Sequence, residues 1–204
     1  MNSREWLCLW YLRLNGYFTL PNFYAHGRPG PLTEIDVLGV RFPHSREFDD
    51  DPALAMPADR IDVVFAEAKT KQVDSLNGPW GSPEKGALDY VLRRVGIVAP
   101  GNEAELAKEL YSKRKALTDG ALVRVVCFGI AISDELREQG VHFVSWKQVL
   151  SFINKRFKDN ERLKRDHETW DDFGQYLWGM LCSERIPDPD TFFLESDKRN
   201  RVRT

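Results

Sequence analysis

Two largely apolar runs within the first 70 residues of this 204-residue sequence contain ionisable residues, and four of these have types and spacing that could support chemistry. Glu34 and Asp36 lie in the run TEIDVLGVRF, and Glu67 and Lys69 lie in the run IDVVFAEAKT. Carboxylate oxygens without Cys or His nearby describe a site for a hard divalent ion, and Mg²⁺ favours one or two carboxylates together with waters and phosphate. A lysine beside such carboxylates can orient a water or neutralise charge on a phosphoryl oxygen. These residue types therefore fit phosphodiester hydrolysis.

The run at 33–42 is predicted to be a β-strand, because apolar and β-branched residues dominate it. Side chains alternate between the two faces of a strand, which places Glu34 and Asp36 on one face. The same alternation places Ile35 and Val37 together on the other face. We therefore expect both carboxylates to point the same way.

The run at 61–70 is predicted to be the next strand, with Glu67 and Lys69 on the same face as Val63 and Phe65. Sequential strands pair about two-thirds of the time, and pairing here would collect three carboxylates and one amine into a compact group. Like charges this close require a cation, which predicts Mg²⁺, with Mn²⁺ able to substitute. The alternative is a solvated ion pair on an edge strand.

The elements that must position these strands are read from periodicity and helix caps. The run LVRVVCFGIAI at 122–132 is the predicted sheet centre, because it is apolar on both faces. The loop 43–60 contains Asp49, Asp50 and Asp51 and is predicted to be solvated and too polar to pack. The further predicted elements are a helix at 4–15, a strand at 17–24, helices at 84–96, 103–120 and 133–140, a strand at 141–146, a helix at 146–159, and an amphipathic helix at 161–182 followed by a basic tail.

Composition limits the class of protein. Hydrophobic residues make up 42% of the chain and its formal net charge is -2, which indicates a globular protein without a global attraction to nucleic acid. Cys8, Cys127 and Cys182 have neither disulfide nor zinc spacing, so we expect buried free thiols. No segment has the character of a transmembrane span, and a cytoplasmic protein is expected.

The two apolar runs resemble the motifs of a known family. TEIDVLGV followed by VVFAEAKT is similar to the PD-(D/E)XK nuclease superfamily, nearest its Holliday junction resolvase-like branch and the small bacterial relatives of that branch. The first helix of that branch carries a glutamate six residues before a Tyr-Leu pair, which is followed by three residues and Gly-Tyr. Glu5, the pair Tyr11 and Leu12, and the pair Gly16 and Tyr17 have this spacing.

The resemblance implies the restriction-endonuclease-like fold, an αβββαβ core in which helices flank a mixed central sheet. This core would occupy residues 1–158, and residues 159–204 would form a helical extension with a basic tail. The resemblance further implies a magnesium-dependent deoxyribonuclease in which Asp36 and Glu67 bind the metal and Lys69 is the catalytic lysine.

Two further acids are assigned through the same resemblance. Glu5 would help to hold the ion, and Glu34 would be an auxiliary catalytic acid. Cys8 and Leu12 lie three and seven residues after Glu5, which places this acid on an inward apolar stripe of the first helix. The alternative is an ordinary first-turn acid favoured by the helix dipole.

A nuclease that follows the DNA backbone needs a few Lys and Arg residues on the side that bears the metal. The first candidates are Arg93, Arg94, Lys113 and Lys115, and the alternative for each is a solvated helix face. A homodimer formed through the extension, or a partner subunit, is an open possibility. A non-catalytic DNA-binding or interaction protein that keeps the nuclease fold is the alternative function, and a chance motif on an ordinary α/β domain is a third reading.

Overall fold

A computed structural model describes residues 1–26, 31–45, 49–80, 83, 86–162, 170–182 and 186–202. Within these ranges seven α-helices flank a six-stranded mixed sheet, which confirms the α/β class. None of the described helices is long and apolar enough to cross a membrane.

The helices are α1 Ser3–Leu14, α2 Ala87–Val95, α3 Glu103–Lys113, α4 Asp134–Glu138, α5 Trp146–Asp159, α6 Asp172–Leu181 and α7 Pro189–Val202. The strands are β1 Phe18–His26, β2 Pro31–Arg41, β3 Ile61–Ala68, β4 Lys115–Leu117, β5 Ala121–Gly129 and β6 His142–Ser145. The sheet order is β1-β2-β3-β5-β4, and β6 also pairs with β5. The β1–β2 and β2–β3 pairs are antiparallel, whereas β3 and β5 are parallel.

Two apolar cores lie on opposite faces of the sheet. Residues of β3 alternate between them: Val64 and Ala66 join the first core, and Val63 and Phe65 join the second. Helices α1, α5, α6 and α7 contribute to the first core, and α2 and α3 contribute to the second. The alternation expected for β3 is therefore confirmed.

Strand β5 is the buried interior strand that its apolar sequence predicts. It pairs with β3 on one side and with β4 and β6 on the other, and every residue of β5 except Leu122 is buried. Arg124 is the charged residue within it. Its guanidinium donates from Nε and Nη2 to the carboxylate of Asp62 on β3, at 3.0 and 2.7 Å, and the hydroxyl of Tyr17 donates to the same carboxylate. This buried ion pair ties two neighbouring strands together on the first-core face.

The predicted helix at 103–120 is wrong beyond residue 113. Arg114 adopts a left-handed conformation (φ 58°), which ends α3, and the chain then continues as the edge strand β4. Ala116 pairs with Val123 of β5 and is buried in the second core. Strand pairing and burial outweigh the local helix propensity of this segment.

The loop at 43–60 is packed in its middle, contrary to the prediction of a solvated connection. Leu54 is fully buried, and the hydroxyl of Tyr11 donates to Oδ2 of Asp51 at 2.8 Å. The amide of Asp51 donates to Oδ1 of Asn15 at 2.8 Å. The sequence pattern cannot show that a carboxylate will find distant partners on α1. Residues 46–48 lie outside the described part of the loop.

The C-terminal segment packs into the first core beside α1 and α5. Helix α6 confirms the second half of the helix predicted at 161–182, whereas residues 163–169 lie outside the described part. The predicted basic tail is helical as α7. Cys8 and Cys127 are buried free thiols as expected, but Cys182 is only partly buried. Its burial was therefore overestimated.

Candidate active site

The candidate site lies where β2 and β3 stop pairing with each other. Their antiparallel register ends with Val37 opposite Ala66. The next residues along the two strands are Asp36 and Glu67, which lie beyond the last pair. Here β2 continues only beside β1, and β3 continues only beside β5. The two acids thus lie at the opening between two strands of one sheet.

Strand β2 does not alternate regularly at this point. Ile35 belongs to the second core and Val37 to the first, so the expectation that these two side chains share a face is wrong. The register of β1 pairs Pro21 with Val37 and Phe23 with Ile35, which leaves Asn22 opposite Asp36. Asn22 has a positive φ of 48°. A positive φ at a residue other than glycine is uncommon, and here it lies opposite the position where β2 changes faces.

Asp36 is held against β3 by its side chain. The backbone N–H of Ala68 donates to Oδ2 of Asp36 at 2.8 Å. Ala68 stands between Glu67 and Lys69, so this bond brings the carboxylate of β2 to the centre of the acid–lysine motif. Burial raises the pKa of Asp36, although the Ala68 amide and the charge of Lys69 oppose the shift.

Glu67 is 4% exposed and has two described contacts. Lys69 Nζ lies 2.7 Å from Oε2 of Glu67, and the backbone N–H of Asn77 donates to the same oxygen at 3.4 Å. Burial raises the pKa of Glu67, and repulsion by Asp36 adds to the increase while Lys69 opposes it. Two neighbouring carboxylates whose pKa values are both raised describe a site short of positive charge.

Glu34 and Glu5 lie within electrostatic range of Asp36. Glu34 pairs with Tyr24 across β1 and β2, and the hydrogen bond with Glu34 raises the pKa of Tyr24. The pKa of Glu5 is raised chiefly by burial, and the charges of Asp36 and Glu34 add to the increase.

The carboxylate of Glu5 is also engaged in a helix cap. Asn2 donates to one oxygen from its backbone N–H at 3.0 Å and to the other from its side-chain amide. The two residues form a capping box at the start of α1. The helix-cap alternative for Glu5 is therefore present in the structure, and its role as a ligand stays a prediction.

The residues that could hold a metal ion are Asp36 and Glu67. Among the described residues no three or more His, Cys, Asp or Glu side chains form a group that could hold one, so Glu5 does not complete a three-carboxylate cluster with them. Asp36 and Glu67 each keep one oxygen that no described donor reaches. Two carboxylates with free oxygens fit Mg²⁺, which retains several waters, but not a zinc site closed by four protein ligands.

The four basic candidates do not form one patch. Arg94 lies 5.0 Å above the ring of Phe23 on β1, and Arg93 lies beside it in the last turn of α2, where it pairs with Glu103 at 3.4 Å. Lys113 ends α3 and Lys115 begins β4. Strands β1 and β4 are the two ends of the strand order, about 19 Å apart at four strand spacings. The Arg93–Arg94 pair is the one on the side of β1 and β2.

Sequence reasoning missed the groups that hold Lys69 in place. Its backbone N–H donates to the carbonyl of Phe128 at 2.8 Å, and its own carbonyl accepts from Nε1 of Trp146 at 2.9 Å. In the sequence, Trp146 stands out only as a tryptophan at the junction between a predicted strand and a predicted helix. That position does not predict a hydrogen bond to a residue 77 positions earlier.

The geometry of Asp36, Glu67 and Lys69 can bind a hard cation and place an ammonium next to it. In comparisons with known proteins, no family model matched the sequence, and no curated protein or solved structure matched it significantly. The resemblance to the PD-(D/E)XK nucleases therefore stays a prediction based on the motifs.

Proposed function

We propose that this protein is a divalent-metal-dependent nuclease of the PD-(D/E)XK type that hydrolyses phosphodiester bonds in DNA. One observation carries the proposal: the 2.8 Å hydrogen bond from the N–H of Ala68 to Oδ2 of Asp36. It joins the aspartate of one strand to the middle residue of the Glu67–Ala68–Lys69 triplet on the next strand. A chance motif on an ordinary domain has no reason to converge in this way.

The order of the elements supports the proposal. Helix α1 precedes the antiparallel strands β1, β2 and β3, and the chain then crosses through α2 and α3 to β5, which is parallel to β3. With the short β4 set aside, this is the αβββαβ order with a mixed central sheet that the motif resemblance implies. The fold alone does not determine function, so the weight rests on the site.

Asp36 and Glu67 would hold Mg²⁺, or Mn²⁺ in its place, through the oxygens that no described donor reaches. When bound, the ion would polarise a phosphoryl oxygen and lower the pKa of a coordinated water. Burial of the two carboxylates strengthens their attraction for a cation, because few waters compete with the charge there. Glu34 adds a third negative charge close to Asp36.

Lys69 supplies the positive charge that acts on the substrate. Its side chain is 18% exposed, so the ammonium is accessible from solvent although its backbone is fixed on both sides. The ammonium can orient the attacking water or stabilise the charge that develops on the phosphoryl oxygens. Among the four basic candidates, Arg93 and Arg94 at the end of α2 lie on the side of β1 and β2, and they would contact phosphates outside the scissile bond.

The test is cleavage by the purified chain with Mg²⁺ or Mn²⁺ on linear duplex, supercoiled plasmid, four-way junction, single-stranded DNA and RNA. We expect cleavage of at least one DNA substrate and its loss in Asp36→Ala and Glu67→Ala. Both variants should also lose Mn²⁺ binding measured by titration calorimetry. Asp74→Ala, which removes an exposed carboxylate after β3, is the matched control and should behave like the wild type.

Two results would contradict the proposal. One is the absence of cleavage of every DNA substrate combined with unchanged Mn²⁺ binding in Asp36→Ala and Glu67→Ala. The other is cleavage that persists in both variants, which would trace the activity to another site or to a contaminant. Cleavage of RNA alone would replace DNA as the substrate class.

A further inference from the structure

The backbone of Lys69 is held from two directions. On one side its N–H donates to the carbonyl of Phe128, which stands opposite Ala68 in the last pair of the β3–β5 register. On the other side its carbonyl accepts a hydrogen bond from the indole N–H of Trp146 at 2.9 Å. These hydrogen bonds hold the two peptide units on either side of the Lys69 Cα, so they restrict both of its backbone dihedral angles and fix where its side chain starts.

The chain turns sharply just after this lysine. The N–H of Ile130 donates to the carbonyl of Lys71 at 3.2 Å, so residue 71, and not residue 69, receives the next hydrogen bond from β5. The carbonyl of Lys69 is therefore left for the indole. The turn also needs Gly129, because a Cβ there would lie 2.8 Å from Cγ2 of Val73 and 3.0 Å from the carbonyl oxygen of Lys71.

Trp146 is itself held by aromatic rings on both sides. It is fully buried at the start of α5, and its ring stacks on Phe128 with a centroid distance of 5.8 Å. Phe193 of α7 meets the same ring edge-on at 5.2 Å and is 3% exposed. A chain of contacts thus runs from the C-terminal helix through Trp146 to the carbonyl of Lys69.

We propose that Trp146 is a positioning residue for Lys69 and that α7, through Phe193, holds Trp146 in place. The segment 186–202 would then support the proposed active-site lysine through Trp146, a role that its sequence pattern does not predict. The catalytic consequence rests on the proposed nuclease function, whereas the positioning itself does not. A shift of about 1 Å in a catalytic group is enough to lower a rate substantially.

The first test compares Trp146→Phe with Trp10→Phe in the full chain. The first substitution keeps an aromatic ring but removes the donor to Lys69, and the second removes the indole donor to Oδ1 of Asp171 on the far side of the first core. In metal-free protein, Trp146→Phe should speed amide hydrogen exchange at residues 69–71 about tenfold relative to β5 amides. Trp10→Phe should leave those amides unchanged. Equal exchange at 69–71 in the two variants would overturn the proposal.

The second readout separates this proposal from the proposed function. If the wild type cleaves DNA, Trp146→Phe should lower the single-turnover rate about 10- to 100-fold at unchanged DNA affinity, as loss of a supporting contact does. An unchanged rate would overturn the catalytic part of the proposal. If the wild type cleaves nothing, the exchange result still decides whether Trp146 positions Lys69, because that measurement does not depend on nuclease activity.

The role of α7 is tested with Phe193→Ala against Leu194→Ala. Leu194 neighbours Phe193 on the same helix but is 58% exposed, so its removal changes the helix without touching Trp146. Phe193→Ala should speed exchange at 69–71 as Trp146→Phe does, and Leu194→Ala should not. If Phe193→Ala speeds amide exchange within α7 but leaves the exchange rates at 69–71 as in the wild type, α7 does not hold Trp146 in place.

Discussion

Lys69 Nζ and Glu67 Oε2 are 2.7 Å apart, so the ammonium occupies one oxygen of the carboxylate that would bind the metal. In the proposed site a divalent ion on the other oxygen of Glu67 and the ammonium on Oε2 would compete for the negative charge of the same carboxylate. Because of this competition, a bound ion would weaken the Lys69–Glu67 pair, and the lysine would weaken binding of the ion. Both effects can be measured.

Lys69→Met is the direct test of this competition. The substitution keeps the aliphatic chain and removes the charge, so Mn²⁺ affinity should stay the same or increase while the cleavage rate falls at least about 100-fold. Lys71→Met, an exposed lysine two residues later, is the control. Weaker Mn²⁺ binding in Lys69→Met would show that the lysine supports the metal site instead of competing with it.

Asp36→Asn should stabilise the metal-free protein at neutral pH. The amide oxygen can still accept from the N–H of Ala68, and the substitution removes a buried charge whose pKa is raised by burial. Relief of such a charge is typically worth about 1 kcal/mol, or about 2–4 °C in melting temperature for a chain of this size. The measurement is thermal unfolding in EDTA. A lower melting temperature than wild type would mean that the charged form is satisfied in the folded state.

The stability advantage of Asp36→Asn should depend on pH in one direction. The pKa of Asp36 is higher in the folded chain than its ordinary value, so the folded state binds the proton more tightly than the unfolded state does. This contribution is fully present below the unfolded pKa of about 4 and is lost as pH rises through the folded value. In urea unfolding with EDTA, the free energy of unfolding of Asp36→Asn should increase relative to that of the wild type as pH rises above about 4. If the relative stability of Asp36→Asn increased on acidification instead, the pKa of Asp36 would not be raised in the folded state.

Divalent metal should reverse this ranking. An ion that binds only the folded state adds RT ln(1 + [L]/Kd), about 2.7 kcal/mol at a concentration 100 times Kd. Saturating Mn²⁺ should therefore raise the melting temperature of the wild type but not of Asp36→Asn or Glu67→Gln. Equal shifts in all three proteins would place the bound ion elsewhere.

The buried pair formed by Asp62 and Arg124 should be structural. Arg124→Met leaves the fully buried carboxylate of Asp62 without its cation, which should cost about 3–5 kcal/mol in urea unfolding. Asp62→Leu combined with Arg124→Met should recover much of that loss, because no unpaired charge remains. Arg60→Met, which breaks the exposed pair with Asp59, should leave the unfolding midpoint unchanged. An Arg124→Met protein as stable as the Arg60→Met control would rule out a structural role for the pair.

Elements whose hydrophobic pattern is local can be predicted from the amino-acid sequence alone. The first helix, the alternation of β3 and the apolar strand β5 follow from periodicity, because each pattern depends on neighbouring residues only. The same local pattern drew attention to Asp36, Glu67 and Lys69, since charges are conspicuous in apolar strands. The conversion of 115–117 to an edge strand was not predictable, because it depends on pairing with β5.

The positions of the acids relative to one another depend on contacts between segments that are distant in the sequence. Pairing between β2 and β3 ends at Val37, so Asp36 and the residues before it are not paired with β3. This ending and the positive φ of Asn22 coincide with Ile35 and Val37 lying on different faces and with the contact between Asp36 and the amide of Ala68. The donor that reaches Lys69 comes from Trp146, 77 residues away, and nothing local to either residue encodes that contact. Periodicity predicts the face of a side chain where a strand alternates regularly, as in β3, but it fails at the irregularity in β2. Contacts between distant segments exist only after the helices and the sheet have packed together.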